Sequence, residues 1–162
     1  MTNFEEMTLQ DFSDALASTN PTPGGGSAAA VALSQAAALT VMVSDITIGR
    51  EKWDSGWEAA EAAKLVAMPL VNEAFSLAND DTDSFVSVMD SFKLPKDTAE
   101  QKEARISAIR GATYQAALVP LQTAKDALQL LLRQEELALT GNANAVTDVG
   151  VASLLASAAC KG

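Results

Sequence analysis

Histidine is absent from the 162-residue sequence, and Cys160 is its single cysteine. Without histidine, a Ser-His-Asp or Cys-His catalytic arrangement is excluded, and a zinc site of the usual His/Cys kind cannot be assembled. One cysteine cannot form an internal disulfide bond. Any general acid or base must therefore be a carboxylate, a lysine, Tyr114 or Cys160.

Positive charge is also scarce. Lys and Arg number 11 against 21 Asp and Glu, which gives a formal net charge of -10 and a pI of about 4.3. No basic run is available to follow a phosphate backbone, so we expect no nucleic-acid partner. Residues 1–6 (MTNFEE) are acidic where a signal peptide would be basic and then apolar. These features predict a cytoplasmic protein.

Long, strongly apolar runs are missing as well. The one stretch long enough to cross a membrane follows the glycines at residues 24–26 and consists mainly of alanine, with four polar interruptions: Ser34, Gln35, Thr40 and Ser44. A spanning helix needs about 20 strongly apolar residues. Small residues instead favour close helix packing inside a bundle. We therefore expect no membrane-spanning segment.

Helical periodicity is present throughout the chain. One helix is predicted from about Trp57 to Phe92, and Pro69 is expected to kink or divide it. Its predicted core face comprises Leu65, Met68, Phe75, Ala78, Thr82, Phe85, Met89 and Phe92. Residues 93–97 (KLPKD) break the pattern, and Thr98 with Gln101 forms a capping box that starts the next helix.

The second half of the chain predicts two more helices. The first contains an internal Pro120 and ends near Gly141, a natural left-handed cap. Its apolar positions are Ile106, Ile109, Ala112, Ala116, Val119, Leu128 and Leu131. The last helical segment carries Val151, Leu154, Leu155 and Ala158. Since no segment alternates as a strand would, the fold class is all-α, an up-and-down bundle of long antiparallel helices.

Asp81 is a candidate acid or base because it shares a helix side with apolar neighbours. It follows Leu77 by four residues and precedes Phe85 by four, whereas Asp83 lies on an outward polar stripe. An inward carboxylate is desolvated unless it is paired or hydrogen-bonded, and desolvation raises its pKa toward the range useful for proton transfer. The alternative is a structural role as the buried partner of a lysine or arginine.

Asp148 meets the same test. It precedes four apolar positions at helical spacing: Val151, Ala152, Leu155 and Ala159. The alternative is an acid at a helix start that accepts hydrogen bonds from free backbone N–H groups. The preceding GNAN, residues 141–144, is equally typical of a simple turn and cap.

The stretch PTPGGGSAAA, residues 21–30, has the composition of a binding loop. Prolines stiffen its approach, Gly24, Gly25 and Gly26 allow close approach of the backbone, and Ser27 can cap the helix that follows. It matches neither the Walker loop nor the spaced dinucleotide fingerprint. A flexible turn between helices is the alternative.

Several short motifs together resemble the cyclodeaminase/cyclohydrolase family, which includes the cyclodeaminase part of formiminotransferase-cyclodeaminase and free-standing methenyltetrahydrofolate cyclohydrolases. The motifs span nearly the whole chain in order: PTPGGGSAAA (21–30), DITIG (45–49), DTDSF with KLPK (81–96), ALVPL (117–121) and GNANAVTDVGVA (141–152). The glycine loop and the Asn-rich block are specific in combination.

The resemblance implies a single helical domain over residues 1–162 that lacks the family's last C-terminal element, and a homodimer that binds a reduced folate. One implied activity is methenyltetrahydrofolate cyclohydrolase, in which water opens the methenyl bridge to give formyltetrahydrofolate. The other is formiminotetrahydrofolate cyclodeaminase, in which ring closure releases ammonia. The tetrahydrofolate derivative is the substrate, and no metal or other cofactor is expected. A non-catalytic helical binding or assembly module is a further alternative.

The resemblance also implies roles for individual residues. Asp148 and Asp81 match the family aspartates expected to act as the acid/base or cation-stabilising pair. The expected folate-binding residues are Pro23, Gly24, Gly25, Gly26, Ser27, Asn142 and Asn144. Lys96 is expected to meet the anionic glutamate tail, although an exposed lysine after a proline is more often plain surface.

Overall fold

The computed structural model describes residues 3–162 and is helical, with no strand in that range. Its five α-helices are α1 (Leu9–Leu16), α2 (Gly25–Thr47), α3 (Trp57–Lys93), α4 (Ala99–Thr140) and α5 (Val146–Lys161). Short 3₁₀ turns lie at Phe4–Glu6, Glu51–Gly56 and Ala143–Ala145. The predicted all-α bundle is confirmed; the first two residues of the acidic N-terminal stretch lie outside the described part of the chain.

Helix α2 packs on both α3 and α5, and α4 packs on the same two helices. The long helices α3 and α4 run antiparallel. Arg105 near the start of α4 donates to the Phe92 carbonyl at 3.1 Å, and Gly56 before α3 contacts the Thr140 backbone at the other end. The first turn of α2 lies beside Asp81. The last 12 residues of α3 therefore extend past the N-terminus of α2 by about 18 Å.

The predicted boundaries of α3 and α4 hold with one correction, whereas α1 was not predicted. Thr98 and Gln101 make both hydrogen bonds of the capping box at the start of α4, and α4 ends at Thr140 as expected. Gly141, however, has φ -73° and is not a left-handed cap; the described glycine with positive φ is Gly49. Pro69 does not divide α3, which continues to Lys93 as one helix.

Small side chains form the core. Of the 22 buried apolar residues in the described chain, 14 are alanine. The predicted core face of α3 is therefore largely wrong. Ala78 and Thr82 are buried, but five of its bulky members are exposed: Leu65, Met68, Phe85, Met89 and Phe92. The buried face consists mainly of alanines, because short side chains let helices approach closely while long side chains remain outside.

The same correction applies to the last two helices. In α4 the predicted Ile106 and Leu128 are exposed, and the residues buried there are Thr123, Ala127, Leu130, Gln134 and Leu137. In α5 the predicted Val151, Leu154 and Ala158 are exposed, and the buried residues are Val149, Ala152, Ala156 and Ala159. The period was helical as predicted, but a different side of each helix faces inward: Leu130 and Leu137 lie among polar residues and one alanine in α4, and alanines lie beside Val149 in α5.

By length and composition, α2 and the segment Ala143–Lys161 are apolar enough to cross a membrane. In α2, however, 56% of the most apolar window is buried inside the bundle. Its polar side chains are satisfied within the fold. The Ser34 hydroxyl donates to the Val71 carbonyl, and Thr40 bonds both the Ala36 carbonyl and the Gln134 amide. Helix α2 therefore has the environment of a core helix.

Candidate functional site

The glycine loop ends at the N-terminus of α2, where the chain meets α3. Gly24 occupies the N-cap position with extended backbone, and no side chain caps the helix. The prediction that Ser27 caps it is wrong, because Ser27 lies inside the first turn and is fully buried. Its hydroxyl donates to Asp81 Oδ2 at 2.9 Å and lies 3.3 Å from Thr82 Oγ1. The first turn of α2 thus holds a carboxylate of α3.

Gly26 allows this carboxylate to approach. A Cβ at Gly26 would overlap the carboxyl group of Asp81, whereas a Cβ at Gly25 would meet nothing within 4 Å. Only a glycine at position 26 therefore fits against Asp81 in its present position. This is a specific requirement for one of the three glycines.

A cavity of about 250 Å³ opens at this point. Its lining residues are Pro21, Thr22, Gly24, Gly25, Gly26, Asp81 and Phe85. The predicted Pro23 follows a cis peptide bond in the same loop but is not among them. Pro21, Thr22 and Phe85 were not predicted as site residues, although Phe85 follows Asp81 by one helical turn and could have been inferred from that spacing. The cavity combines a carboxylate, exposed backbone and one aromatic ring.

Asp81 itself is half-buried, as the helical-face argument predicted. Its alternative role as the partner of a lysine or arginine is not observed. The ion pairs between described residues are Lys64 with Asp45 and Lys93 with Asp90. The carboxylate is held by a neutral hydroxyl and keeps acceptor capacity toward the cavity.

The Asn-rich block lies at the opposite end of α2. The Asn142 backbone N–H donates to Thr47 Oγ1 at 3.0 Å, and its Nδ2 donates to the Ile46 carbonyl at 3.1 Å. Its Oδ1 accepts from the Asn144 backbone N–H at 3.0 Å. Asn142 therefore joins the end of α2 to the turn before α5. The side chain of Asn144 is exposed and makes no hydrogen bond in the described structure.

Asp148 lies in the first turn of α5 and is half-buried. It does not occupy the N-cap, which is Ala145, and it makes no side-chain hydrogen bond within the described chain. Its carboxylate is close in sequence to Asn144, and both are accessible at this end of the bundle.

The structure separates the two predicted aspartates. Asp81 lies beside Ser27 at one end of α2, and Asp148 follows the turn that is bonded to Thr47 at the other end. Twenty residues of helix separate these points by about 30 Å. Lys96 is exposed in the connection between α3 and α4, at the tip of the projecting hairpin. A single chain therefore brings the glycine loop and Asp81 together, but neither Asp148 nor Lys96.

A larger hollow of about 580 Å³ lies near the same tip. Its lining residues are Ala99, Lys102, Glu103, Ile106, Ser107 and Arg110. All six belong to the first turns of α4, so the hollow is an open groove on one helix. The smaller cavity at Asp81 is the better candidate because residues from two helices and a loop converge there.

Comparison with known proteins supports the family resemblance that the sequence motifs indicated. The family model described as formiminotransferase-cyclodeaminase matches residues 8–162. The methenyltetrahydrofolate cyclohydrolase of Methylorubrum extorquens is 37% identical over 151 residues, which cover 93% of this chain and 73% of that protein. The formimidoyltransferase-cyclodeaminase of Mus musculus is 32% identical over 91% of this chain, but this match spans only 27% of the mouse protein.

A solved structure shares the fold. The crystal structure of formiminotetrahydrofolate cyclodeaminase from Thermotoga maritima superposes with a TM-score of 0.81 and 28% identity, covering 96% of this chain and 73% of that one. The fold, the motif order and the family match agree over nearly the full length. The chain belongs to the formiminotransferase-cyclodeaminase family.

Proposed function

We propose that this chain is a methenyltetrahydrofolate cyclohydrolase, which hydrolyses 5,10-methenyltetrahydrofolate to 10-formyltetrahydrofolate. The observation that carries the proposal is the Asp81 carboxylate, held by Ser27 at the mouth of the glycine-lined cavity. The relative from M. extorquens, whose name states this activity, supports it. The carboxylate in the cavity is suited to this substrate, because the reacting methenyl group of the folate is cationic.

The chemistry requires proton transfer around one carbon. The methenyl bridge is an amidinium-like cation, and a water molecule adds to its carbon. A carboxylate within about 3 Å accepts the proton from that water and stabilises the cationic centre beforehand. The adduct's hydroxyl then loses its proton as its oxygen becomes the formyl carbonyl, and one carbon–nitrogen bond breaks. Of the two protons from water, one is taken up by the leaving nitrogen and the other is released, while the formyl group stays on the other nitrogen. Asp81 is the proposed acid/base group of this cavity. Asp148 is its proposed partner only where two chains of the homodimer share the site, because one chain holds the two aspartates about 30 Å apart.

Substrate binding is assigned to the loop and to the exposed amide. The backbone of Gly24, Gly25 and Gly26 accepts a flat ring system at close range, as glycine permits. Asn144 is free to orient the pterin or the acid, whereas the Asn142 side chain is already engaged. Lys96 remains the candidate for the glutamate tail. Proton transfer of this kind calls for no metal or further cofactor.

The proposal places the protein in the cytoplasm as a homodimer with a reduced folate as its partner, without nucleic acid or membrane. Its net charge of -10 supports the exclusion of nucleic acid. The burial of α2 inside the bundle supports the exclusion of membrane.

Formiminotetrahydrofolate cyclodeaminase is the second candidate activity. The solved T. maritima structure with that name has the same fold over 96% of this chain and supports it. In this reaction a folate nitrogen attacks the formimino carbon, ammonia leaves with a proton, and the methenyl bridge closes. Both reactions pass through a tetrahedral carbon flanked by two nitrogens, so one carboxylate site serves either.

Purified protein added to methenyltetrahydrofolate should accelerate the loss of its absorbance above the spontaneous rate in the same buffer. Formiminotetrahydrofolate should be assayed in parallel for ammonia release. Acceleration of the first reaction supports the cyclohydrolase, and ammonia release alone supports the cyclodeaminase. If a folded protein catalyses neither reaction, the enzyme proposal is wrong, and binding of the folates by titration would favour a non-catalytic module.

A further inference from the structure

The cavity at Asp81 has one aromatic wall, which is the side chain of Phe85. Phe85 follows Asp81 by one helical turn, so the two side chains lie on the same side of α3 with their Cβ atoms about 6 Å apart. Phe85 is 39% exposed. Part of its ring is therefore available to a ligand that reaches the carboxylate.

The cavity is too small for a whole folate. Its volume is about 250 Å³. Sites that enclose a drug-sized ligand have volumes of about 300–1,000 Å³. In methenyltetrahydrofolate the reacting carbon joins a pterin nitrogen to the nitrogen of a p-aminobenzoyl ring, which carries the glutamate. With that carbon at Asp81, one of the two ring systems lies against Phe85 and the other lies outside this part of the cavity.

The distribution of charge distinguishes the two directions along α3. Residues 93–110, which form the tip of the projecting hairpin, contain five Lys or Arg and three Asp or Glu. The rest of the chain contains six Lys or Arg and eighteen Asp or Glu. The tip is therefore positive on a chain whose formal net charge is -10. An anionic group bound near the cavity is attracted toward the tip and repelled by the rest of the chain.

The position of Phe85 relative to Asp81 matches this direction. Helix α3 runs from Asp81 through Phe85 to Lys93, so Phe85 lies about 6 Å nearer the tip than the carboxylate. In the folate, the reacting carbon is followed by the benzoyl ring and then by the anionic glutamate. The two orders coincide when the glutamate points to the tip. The opposite direction would place the glutamate beside the acidic part of the chain.

We propose that the p-aminobenzoyl ring of the folate stacks on Phe85, with its glutamate directed toward the positive tip, while the pterin stays with the glycine loop on the other side of Asp81. The inference rests on the proposed function for the identity of the ligand. Contacts between two aromatic rings add affinity beyond the burial of apolar area. Phe85 thus positions the substrate and takes no part in proton transfer.

Phe85→Leu tests the contact in the reaction itself. Leucine keeps apolar bulk but has no ring face, so KM for methenyltetrahydrofolate should rise by roughly threefold to tenfold. The value of kcat should stay within about twofold, because Asp81 is unchanged. Phe85→Tyr keeps the ring and should restore KM. An unchanged KM in folded Phe85→Leu protein would overturn the inference.

Fragment binding tests which ring lies on Phe85, without any activity. The compound p-aminobenzoylglutamate has the benzoyl ring and the glutamate but no pterin, and 6-methyltetrahydropterin has no benzoyl ring. NMR titration gives both dissociation constants. Phe85→Leu should weaken p-aminobenzoylglutamate by roughly threefold to tenfold and leave the pterin unchanged. Weaker binding of the pterin alone would overturn the inference, as would wild-type protein that does not bind p-aminobenzoylglutamate.

Phe92→Leu is the matched control, since it makes the same change on the same helix. Phe92 is 50% exposed, lies about 10 Å nearer the tip and does not line the cavity. Its ring already contacts the Arg105 guanidinium, at 5.5 Å. This variant should leave KM and both dissociation constants unchanged. Equal effects of Phe85→Leu and Phe92→Leu would indicate a general response of the hairpin and would overturn the role of Phe85.

These readouts separate the ring contact from the proposed function. If wild-type protein turns over neither folate but Phe85→Leu selectively weakens p-aminobenzoylglutamate, the proposed function fails and the ring contact stands. If wild-type protein hydrolyses methenyltetrahydrofolate but Phe85→Leu changes neither KM nor fragment binding, the ring contact fails and the proposed function stands.

Discussion

The two ends of α2 carry the two most distinctive motifs of the chain, and they use their polar groups differently. At the glycine end, Ser27 and Gly26 hold the Asp81 carboxylate against a cavity. At the asparagine end, the Asn142 side chain donates to the Ile46 carbonyl and accepts from the Asn144 backbone N–H in its own turn. One motif presents a reactive group, and the other mainly fixes the chain. Each motif therefore contains residues that hold the fold together and residues that are available to a substrate. Only their contacts in the structure distinguish the two kinds.

The largest expected effect is at the glycine end. Asp81→Asn should lower turnover by about 10²-fold or more, because an amide cannot accept the proton that the reaction releases. The protein should stay folded, since asparagine has the same shape and its oxygen can still accept from Ser27. Turnover is measured by methenyltetrahydrofolate absorbance, and folding by circular dichroism. Full turnover in a folded variant would remove Asp81 from the mechanism.

Gly26→Ala should follow, with a loss of roughly 10-fold to 10²-fold, because the added methyl group displaces the carboxylate that acts in proton transfer. Gly25→Ala is the comparison variant: it changes the neighbouring residue of the same helical turn, where a Cβ meets no atom of the protein, so the Asp81 carboxylate stays in place. Because Gly25 lines the cavity, its variant should raise KM for the folate and leave kcat largely unchanged. Equal activity of the two variants would show that the position of Asp81 beside α2 is unimportant.

Ser27→Ala should have a smaller effect, because it removes one hydrogen bond that orients the Asp81 carboxylate. The loss of about 1 kcal/mol corresponds to a roughly fivefold lower kcat. The control is Ser44→Ala, since Ser44 is equally buried in α2 but bonds only the Thr40 carbonyl of its own helix. We expect kcat to fall for Ser27→Ala alone. A similar fall in both would indicate a general loss of α2 packing.

At the asparagine end the comparison predicts an effect on stability for Asn142 and a smaller effect on turnover for Asn144. Asn142→Ala should lower the free energy of unfolding by about 1–3 kcal/mol, since it leaves the Ile46 carbonyl and the Asn144 N–H without their partners. Asn144→Ala should leave stability unchanged and reduce turnover a few-fold. Urea unfolding and steady-state kinetics measure both. Reversed effects would exchange the roles of the two asparagines.

The sequence predicted the helices well because their boundaries are local. Thr98 and Gln101 specify the start of α4 by themselves, and α3 was placed within one residue at both ends. The buried faces were not predicted, because large apolar residues occur on more than one side of each helix. Alanine gives a weak hydrophobic signal, and only the packed bundle reveals that alanine fills the interior.

Only part of the geometry of the candidate site could be predicted from the sequence. The spacing around Asp81 placed it inward, and the structure places it beside Ser27. The distance from Asp81 to Asp148 was not accessible, because each was judged against neighbours on its own helix. Their separation depends on the order in which four helices cross the bundle, which no local pattern contains.

The alanine core has a thermodynamic consequence. Burying a leucine contributes about 1.5–3 kcal/mol, and an alanine, with only its methyl group, contributes considerably less. The chain thus gains little from its own interior for its length, while much of its leucine remains on the outside of α4. If the homodimer of the proposed function covers that leucine, it adds stability, and the melting temperature then falls on dilution. Folding and pairing would then be one equilibrium, governed by how much of the protein a cell makes.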